Sequence, residues 1–270
     1  MTIEANAKVN LTLEVLGKRP DGYHDLRSLV APISLADTLD VEPTSDGSIA
    51  SDTGYPDDLC VKAARALKVG ARIRVTKRIP VGGGLGGGSA DAAAVLRALN
   101  ELWQLGKTPE ELAEIGAEVG SDVPALVLAQ HYQRPVLMEG RGERVKRVAI
   151  GQMGRMGQIG LSLACPGVSS STKEVYSALR LCPSPSPFSS SPTAAAISAL
   201  QAGDFDRLAA SLSNDLQDAA VRLHPEIGRE IEALRANGVG GVLMSGSGSC
   251  VFALVRRPVP GSFRLLFEGV

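Results

Sequence analysis

The stretch IPVGGGLGGGSADAA, Ile79–Ala93, carries six glycines in the seven residues from Gly82 to Gly88, broken only by Leu85, and turns at once into an alanine-rich apolar run. Its neighbours decide how it is read. Upstream, ARIRVTK (71–77) alternates, with Ala71, Ile73 and Val75 on one side, which is the pattern of a strand. Downstream, Ala92, Val95, Leu96, Leu99 and Leu102 recur at helical spacing, with Ser89 placed to cap the helix and Gly106 to end it. Strand, glycine loop, helix is the setting in which backbone N–H groups converge on an anion. Glycine admits positive φ and lets phosphate oxygens approach a backbone that carries no Cβ. The helix N-terminus adds roughly half a positive charge. A linker needs no such neighbours, so a phosphate cradle is the favoured reading and a linker or packing turn the alternative. Neither standard loop fits. A Walker loop would end in Gly-Lys-Ser/Thr, and Gly88-Ser89-Ala90 lacks the lysine. A dinucleotide loop wants an acidic residue at a strand end about 20 residues on, and Glu110 falls in the next helix.

Working outward, residues 5–15 (ANAKVNLTLEV) alternate strictly and predict a strand with one buried face, its polar side formed by Asn6, Lys8, Asn10, Thr12 and Glu14. A turn is expected at Lys18–Gly22, then extended pieces over 28–41 broken by Pro32. Residues 58–68 read as a short helix stopped by Gly70. Thr108-Pro109-Glu110-Glu111 is a capping box with proline at the first helical position; Gly120 closes that helix. Residues 136–150 predict a hairpin around EGRGE. The glycine-rich stretch 151–160 marks a boundary between two domains, 1–150 and 151–270. In the second, CPSPSPFSSSPT (182–193) reads as an exposed loop. Helices follow at 194–202, 204–213 and 225–236, and GVLMSGSGSCVFALV reads as strand, turn, strand.

The net charge of −1 gives no electrostatic reason to expect a nucleic acid or a membrane as partner. No apolar leader follows Met1 and no apolar run is long enough to span a bilayer, so a cytoplasmic protein is expected. Cys60, Cys165, Cys182 and Cys250 form no CxxC pair and are expected as reduced, buried thiols. His24, His131 and His224 form no zinc-ligand pattern.

The loop from Pro80 to Ala90 resembles the phosphate loop of the GHMP kinase family. ANAKVNLTLEVLGKRPDGYHDLRSL resembles that family's substrate strand with, more narrowly, the AKxN and DGYH segments of its members that act on 4-diphosphocytidyl-2-C-methyl-D-erythritol. VGSDVPALV (119–127) resembles the G-A-D-V-P segment of those kinases, and SGSGSCVFAL resembles their third motif. The resemblance implies an α+β, two-domain GHMP kinase fold: an N-terminal domain like domain 2 of ribosomal protein S5, a C-terminal ferredoxin-like domain, and an active site in the cleft between them. It implies ATP-dependent phosphorylation of the 2-hydroxyl of that substrate.

On this resemblance Asp122 is the general base, a residue that the local sequence alone reads as a helix N-cap. Lys8 pairs with Asp122 and neutralises the transferring phosphate, and Asn10 orients the attacking hydroxyl. Tyr23 stacks on the cytosine and His24 bonds its edge; Tyr176 covers the other face, and Thr172 lies near the methylerythritol end. Pro80, Gly82, Gly83, Gly84, Leu85, Gly86, Gly87, Gly88 and Ser89 hold the ATP phosphates, Asp58 and Leu59 line the adenosine pocket, and Gly246, Ser247 and Gly248 form a supporting turn. Mg²⁺ accompanies ATP, with Ser89 its one candidate protein ligand. The expected state is a monomer or weak homodimer. The rival readings are a GHMP kinase acting on homoserine, mevalonate or a sugar, and a non-catalytic ligand sensor on the same fold.

Overall fold

The computed structural model describes residues 1–150, 158–180 and 187–267. The alternating N-terminal segment forms β1 (Thr2–Lys18), which turns back through residues 19–23 into the antiparallel β2 (His24–Pro43). Its apolar row, Ala5, Ala7, Val9 and Leu11, is fully buried. The polar row is buried too, with no member of Asn6, Lys8, Asn10, Thr12 and Glu14 more than 7% exposed, contrary to a strand with one solvated face. The reason is what lies over it. Lys8 N–H donates to the Leu85 carbonyl in the glycine loop, and Thr12 and Glu14 bond Thr193 from the second half of the chain. Buried polar groups persist when each finds such a partner. Pro32 does not break β2. The register shifts there, Asn6 facing Ala36 while Lys8 faces Pro32, and a bulge of this kind accommodates a residue with no N–H to give.

The first 150 residues add β3 (Ile49–Ser51), β4 (Ala71–Thr76), β5 (Val136–Gly140) and β6 (Arg144–Arg147) to this sheet. Four helices cover it: α1 (Leu59–Leu67), α2 (Gly87–Leu102), α3 (Pro109–Val119) and α4 (Val123–Tyr132). The alanines of α2, Ala90, Ala92 to Ala94 and Ala98, are all at 0% exposure, which lets this helix pack across β1 and β2 while α1, α3 and α4 pack on it. The capping box at Thr108 and Glu111 forms as expected. Three boundary details differ from the sequence reading. Gly86, at φ +72°, is the N-cap of α2, so Ser89 lies inside its first turn and caps nothing. The helix ends at Leu102, leaving Gly106 in the following loop. Lys68 takes the left-handed position after α1, while Gly70 is needed for space, a Cβ there lying 2.3 Å from Thr44 Oγ1.

The second half contributes β7 (Gly160–Ala164), α5 (Thr172–Ala178), α6 (Pro192–Ala202), α7 (Phe205–Ala210), β8 (Ser213–Asn214), α8 (Gln217–Leu223), α9 (Pro225–Ala236), β9 (Val242–Met244), β10 (Val251–Val255) and β11 (Phe263–Arg264). Its antiparallel four-stranded sheet runs β11-β7-β10-β9. That is the ferredoxin-like order, with a loop over 256–262 in place of the last crossover helix. The helix expected over 204–213 is shorter than its pattern, because residues 213–214 leave it to pair with β1 as the parallel strand β8 of the first sheet. The helix α8 has no counterpart in the sequence reading. Residues 151–157 of the expected boundary and 182–186 of the Ser-Pro tract lie outside the described residues; Phe188–Ser190 is a single 3-10 turn, and Ser191 caps α6.

The cysteine expectation is corrected. Cys165 and Cys250 are joined by a disulfide across 85 residues of sequence. Ala164 and Val251 are register partners of β7 and β10, so the cysteines one step outward are brought side by side by the strand pairing, which no sequence spacing reveals. Cys60 is a buried free thiol, and Cys182 lies outside the described residues. Among the described residues no helix is long and apolar enough to cross a membrane.

Candidate active site

The glycine loop wraps the entry to α2. Its left-handed positions alternate, with Gly82, Gly84 and Gly86 at φ +71° to +74°. At Gly84 the turn of the second half also closes in, a Cβ there falling 2.0 Å from the Ser245 carbonyl, so both conformation and contact demand glycine. Ser245 Oγ donates to the Gly84 carbonyl at 2.9 Å, and Cys250 N–H donates to the Gly83 carbonyl at 3.0 Å. The loop is therefore held from behind by the segment 245–250. No side chain caps α2, so the N–H groups of its first turn face outward with an exposed Gly88 among them. This is a ready anion site.

Beneath the loop lies an ordered polar cluster. Lys8, 4% exposed, donates from Nζ to Asn10 Oδ1 at 2.6 Å and stands 3.5 Å from Asp122 Oδ2. Asp122 occupies the N-cap position of α4 yet makes no capping hydrogen bond. Its carboxylate, about a third exposed, is turned to Lys8 instead. Gly246 completes the cluster from the second half: a Cβ there would meet Lys8 Nζ at 3.2 Å and Asn10 Oδ1 at 3.4 Å. Asn214 Nδ2 holds this turn by donating to the carbonyls of Met244 and Gly246, each at 2.8 Å.

One cavity of about 540 Å³ joins the glycine loop, Lys8, Asn10 and Asp122 to two flanks. On one flank are Thr53, Tyr55, Asp58, Leu59, Lys77 and Asp91. Burial pushes the Asp58 carboxyl up, but hydrogen bonds from Thr53, Ser51 and the Cys60 N–H outweigh it and hold the group below its usual range. Lys77 bonds both Asp37 and Asp91; burial raises the Asp91 carboxyl despite the lysine beside it. One oxygen of Asp91 is buried without a partner. On the other flank are Tyr176 and Thr172, whose hydroxyl lies 2.8 Å from Ser247 Oγ. Burial, with the charges of Asp122 and Asp215, pushes the Tyr176 phenol up.

Tyr23 and His24 are placed differently from the rest. Neither lines the cavity. The His24 ring stacks on Tyr176 at 4.9 Å, while Tyr23 is 55% exposed with the Arg141 guanidinium 5.2 Å above its ring. Burial and, less strongly, Lys18 hold His24 below its ordinary 6.5, so it is neutral at neutral pH. The structure thus gathers Lys8, Asn10, Asp122, the glycine loop, Asp58, Leu59, Thr172 and Tyr176 at one cavity and leaves the Tyr23–His24 turn at its rim.

Two family models match this chain, the GHMP kinases N terminal domain over residues 58–130 and the GHMP kinases C terminal over 196–262. The 4-diphosphocytidyl-2-C-methyl-D-erythritol kinase of Brevibacillus brevis is 41% identical over 95% of this chain and 88% of its own. The chain belongs to the GHMP kinases. The kinase of the same title from Shouchella clausii is likewise 41% identical, over 95% of this chain and 86% of its own. A crystal structure of 4-(cytidine 5'-diphospho)-2C-methyl-D-erythritol kinase superposes with a TM-score of 0.75 at 38% identity, covering 94% of this chain and 90% of that one. Homoserine kinase from Cytophaga hutchinsonii, at 19% identity and a TM-score of 0.72 over 95% of this chain and 85% of its own, shares the fold. As a GHMP kinase the protein uses ATP as co-substrate.

Several residues that build this site were not singled out in the sequence. Asn214 acts by fixing backbone carbonyls, and a lone asparagine in a loop announces nothing; Ser245 does the same at Gly84, and although it opens the SGSGSCVFAL motif its partner could not be read there. The Lys77–Asp37–Asp91 cluster joins three separate elements; only Lys77, at the end of the strand leading into the loop, had a position that could have marked it.

Proposed function

We propose that this GHMP kinase transfers the γ-phosphate of ATP to the 2-hydroxyl of 4-diphosphocytidyl-2-C-methyl-D-erythritol, giving the 2-phosphate and ADP in the non-mevalonate route to isoprenoid precursors. The observation that carries the reading is the Lys8–Asp122 pair, 3.5 Å apart on the wall of the cavity that the glycine loop also lines. Asp122 takes the proton of the attacking hydroxyl. Its carboxylate is free to do so because it does not cap α4. The Lys8 ammonium faces the charge that gathers on the transferring group, and Asn10, bonded to it, orients the alcohol. The N–H groups opening α2 and the loop from Pro80 to Gly88 bind the phosphates, while Asp58 and Leu59 border the adenosine.

The cytosine binds at the Tyr176 end. Tyr23, His24 and Tyr176 clamp it, which requires the base to part the His24–Tyr176 stack and the exposed Tyr23 ring to turn inward. Thr172 meets the methylerythritol end. Among the described residues no group of three acidic, histidine or cysteine side chains forms a metal cage. Ser89 fits as a single Mg²⁺ ligand beside phosphate oxygens and water, the coordination this ion prefers with nucleotides. When bound, Mg²⁺ neutralises phosphate charge. Residues 1–150 and 151–270 form the two domains, and the protein works in the cytoplasm as a monomer or weak homodimer.

The test is ADP release with ATP, Mg²⁺ and 4-diphosphocytidyl-2-C-methyl-D-erythritol, with mevalonate, homoserine and galactose in parallel. Turnover with the cytidyl alcohol alone is expected. Turnover with one of the others overturns the substrate, and ATP binding without turnover favours a sensor.

A further inference from the structure

The lysine facing Asp122 is held by hydrogen bonds whose far end lies outside the cavity, at Ser28 on β2, a residue at 0% exposure. A serine hydroxyl has one proton and two lone pairs. The Ser28 proton goes to the Thr12 carbonyl at 2.6 Å. That carbonyl stands at the register irregularity between Asn10 and Thr12, where the Leu29 N–H is taken by the Thr12 hydroxyl at 3.1 Å. The 2.7 Å contact of Ser28 Oγ with Asn10 therefore uses a serine lone pair, and its donor is the Asn10 amide NH₂. At the other end of the same amide Lys8 has only donors to offer, so the 2.6 Å contact there is with the Asn10 carbonyl oxygen. Two independent constraints fix one amide orientation.

We propose that Ser28 is a positioning residue for phosphoryl transfer, acting through Asn10 to hold the Lys8 ammonium against Asp122. This rests on the assignment of Lys8 and Asn10 to the reacting centre. Without the serine acceptor the Asn10 NH₂, on a residue 1% exposed, loses its partner, and the amide is held at its Lys8 end alone. It tilts to find another acceptor, and the Lys8 ammonium bonded to its oxygen shifts from Asp122. Ser28 does not line the cavity, so its loss acts on the chemical step and leaves the binding of both substrates alone.

The experiment is a cycle of Ser28→Ala, Asn10→Ala and the double variant, with steady-state rates for ATP and the cytidyl alcohol and a thermal melt for each. Ser28→Ala is expected to lower kcat about tenfold, the worth of one hydrogen bond, with both KM values unchanged. Adding it to Asn10→Ala is expected to change nothing further. Wild-type kcat in Ser28→Ala, or an equal fall on both backgrounds, overturns the proposal. Wild-type kcat in Asn10→Ala overturns the reading of the site beneath it. If Ser28→Ala fails to fold, Ser28→Cys, close in shape but weaker in hydrogen bonding, replaces it, and wild-type kcat in that variant also overturns the proposal.

Discussion

Replacing Gly88 by alanine separates the proposed phosphate-binding role of the loop from its structural role. Gly88 is the second residue of α2, and a Cβ built there meets nothing nearer than Leu59 Cδ1 at 3.7 Å, an ordinary contact. Its φ is not in the left-handed region. Alanine in a helix is favoured over glycine by up to about 1 kcal/mol, so melting is expected to rise by up to roughly 2–4 °C for a chain of this size. The new methyl projects where the phosphates approach the helix N-terminus. Displacing them lengthens one or two charge-assisted hydrogen bonds worth about 1.5–3 kcal/mol each. ATP affinity is therefore expected to fall about 10- to 100-fold or more, measured by calorimetry alongside the melt. Wild-type ATP affinity in a folded Gly88→Ala protein would refute the reasoning, because the open face of the loop would then not be where phosphate sits. Gly84→Ala cannot make this separation: its Cβ lies 2.0 Å from the Ser245 carbonyl, so that variant disturbs the joint between the two halves as well.

Asp122→Asn is expected to lower kcat by about 10²-fold or more, the usual worth of a general base, with ATP affinity by calorimetry unchanged; a near-normal kcat would remove Asp122 from that role. Tyr23→Ala is expected to raise KM for the cytidyl alcohol more than it lowers kcat, since a stacked ring holds ground and transition states alike, and an effect confined to kcat would contradict stacking. His24 is depressed in the folded state, so the unfolded chain binds the extra proton. Its contribution to stability is full above the ordinary value of 6.5 and is lost as pH falls through the lower folded value. His24→Gln is accordingly expected to flatten the decline of melting temperature below pH 6.5, and an unchanged slope would count against it. In denatured, unreduced protein a maleimide is expected to label Cys60 but neither Cys165 nor Cys250, read by peptide mapping; labelling at either disulfide position would contradict the bridge.

What the sequence made legible was whatever depends on near neighbours. The strand before the glycine loop, the helix after it and the Thr108–Glu111 box are local patterns, and each forms, the helix with both ends moved. The failures share a cause. Ser89 seemed the cap of α2 because a serine opens an apolar run, but a glycine at positive φ let the helix start three residues earlier. The polar row of β1 seemed solvated because alternation reports a difference between two faces and is silent on what covers each. Thr12 and Glu14 find Thr193 only when the chain returns about 180 residues later. The disulfide is hidden for the same reason, its sulfurs brought together by the pairing of β7 with β10.

The site itself shows why its chemistry is spread along the chain in this way. Lys8 comes from β1, Asp122 from the start of α4 and Gly246 from the turn after β9, and the glycine loop lies between them. A kinase must bring an alcohol and a nucleotide together and keep water from taking the phosphate, which favours a cleft whose walls come from different parts of the fold. In this protein the seam is made at backbone carbonyls. Ser245 on Gly84, Cys250 on Gly83 and Asn214 on Gly246 tie the glycine loop and the surroundings of the Lys8–Asp122 pair to one turn. A shift of that turn moves the glycine loop and the surroundings of Lys8 together. The glycines near the seam thus meet two demands, positive φ at Gly82, Gly84 and Gly86 and, at Gly84 and Gly246, the close approach of another part of the chain.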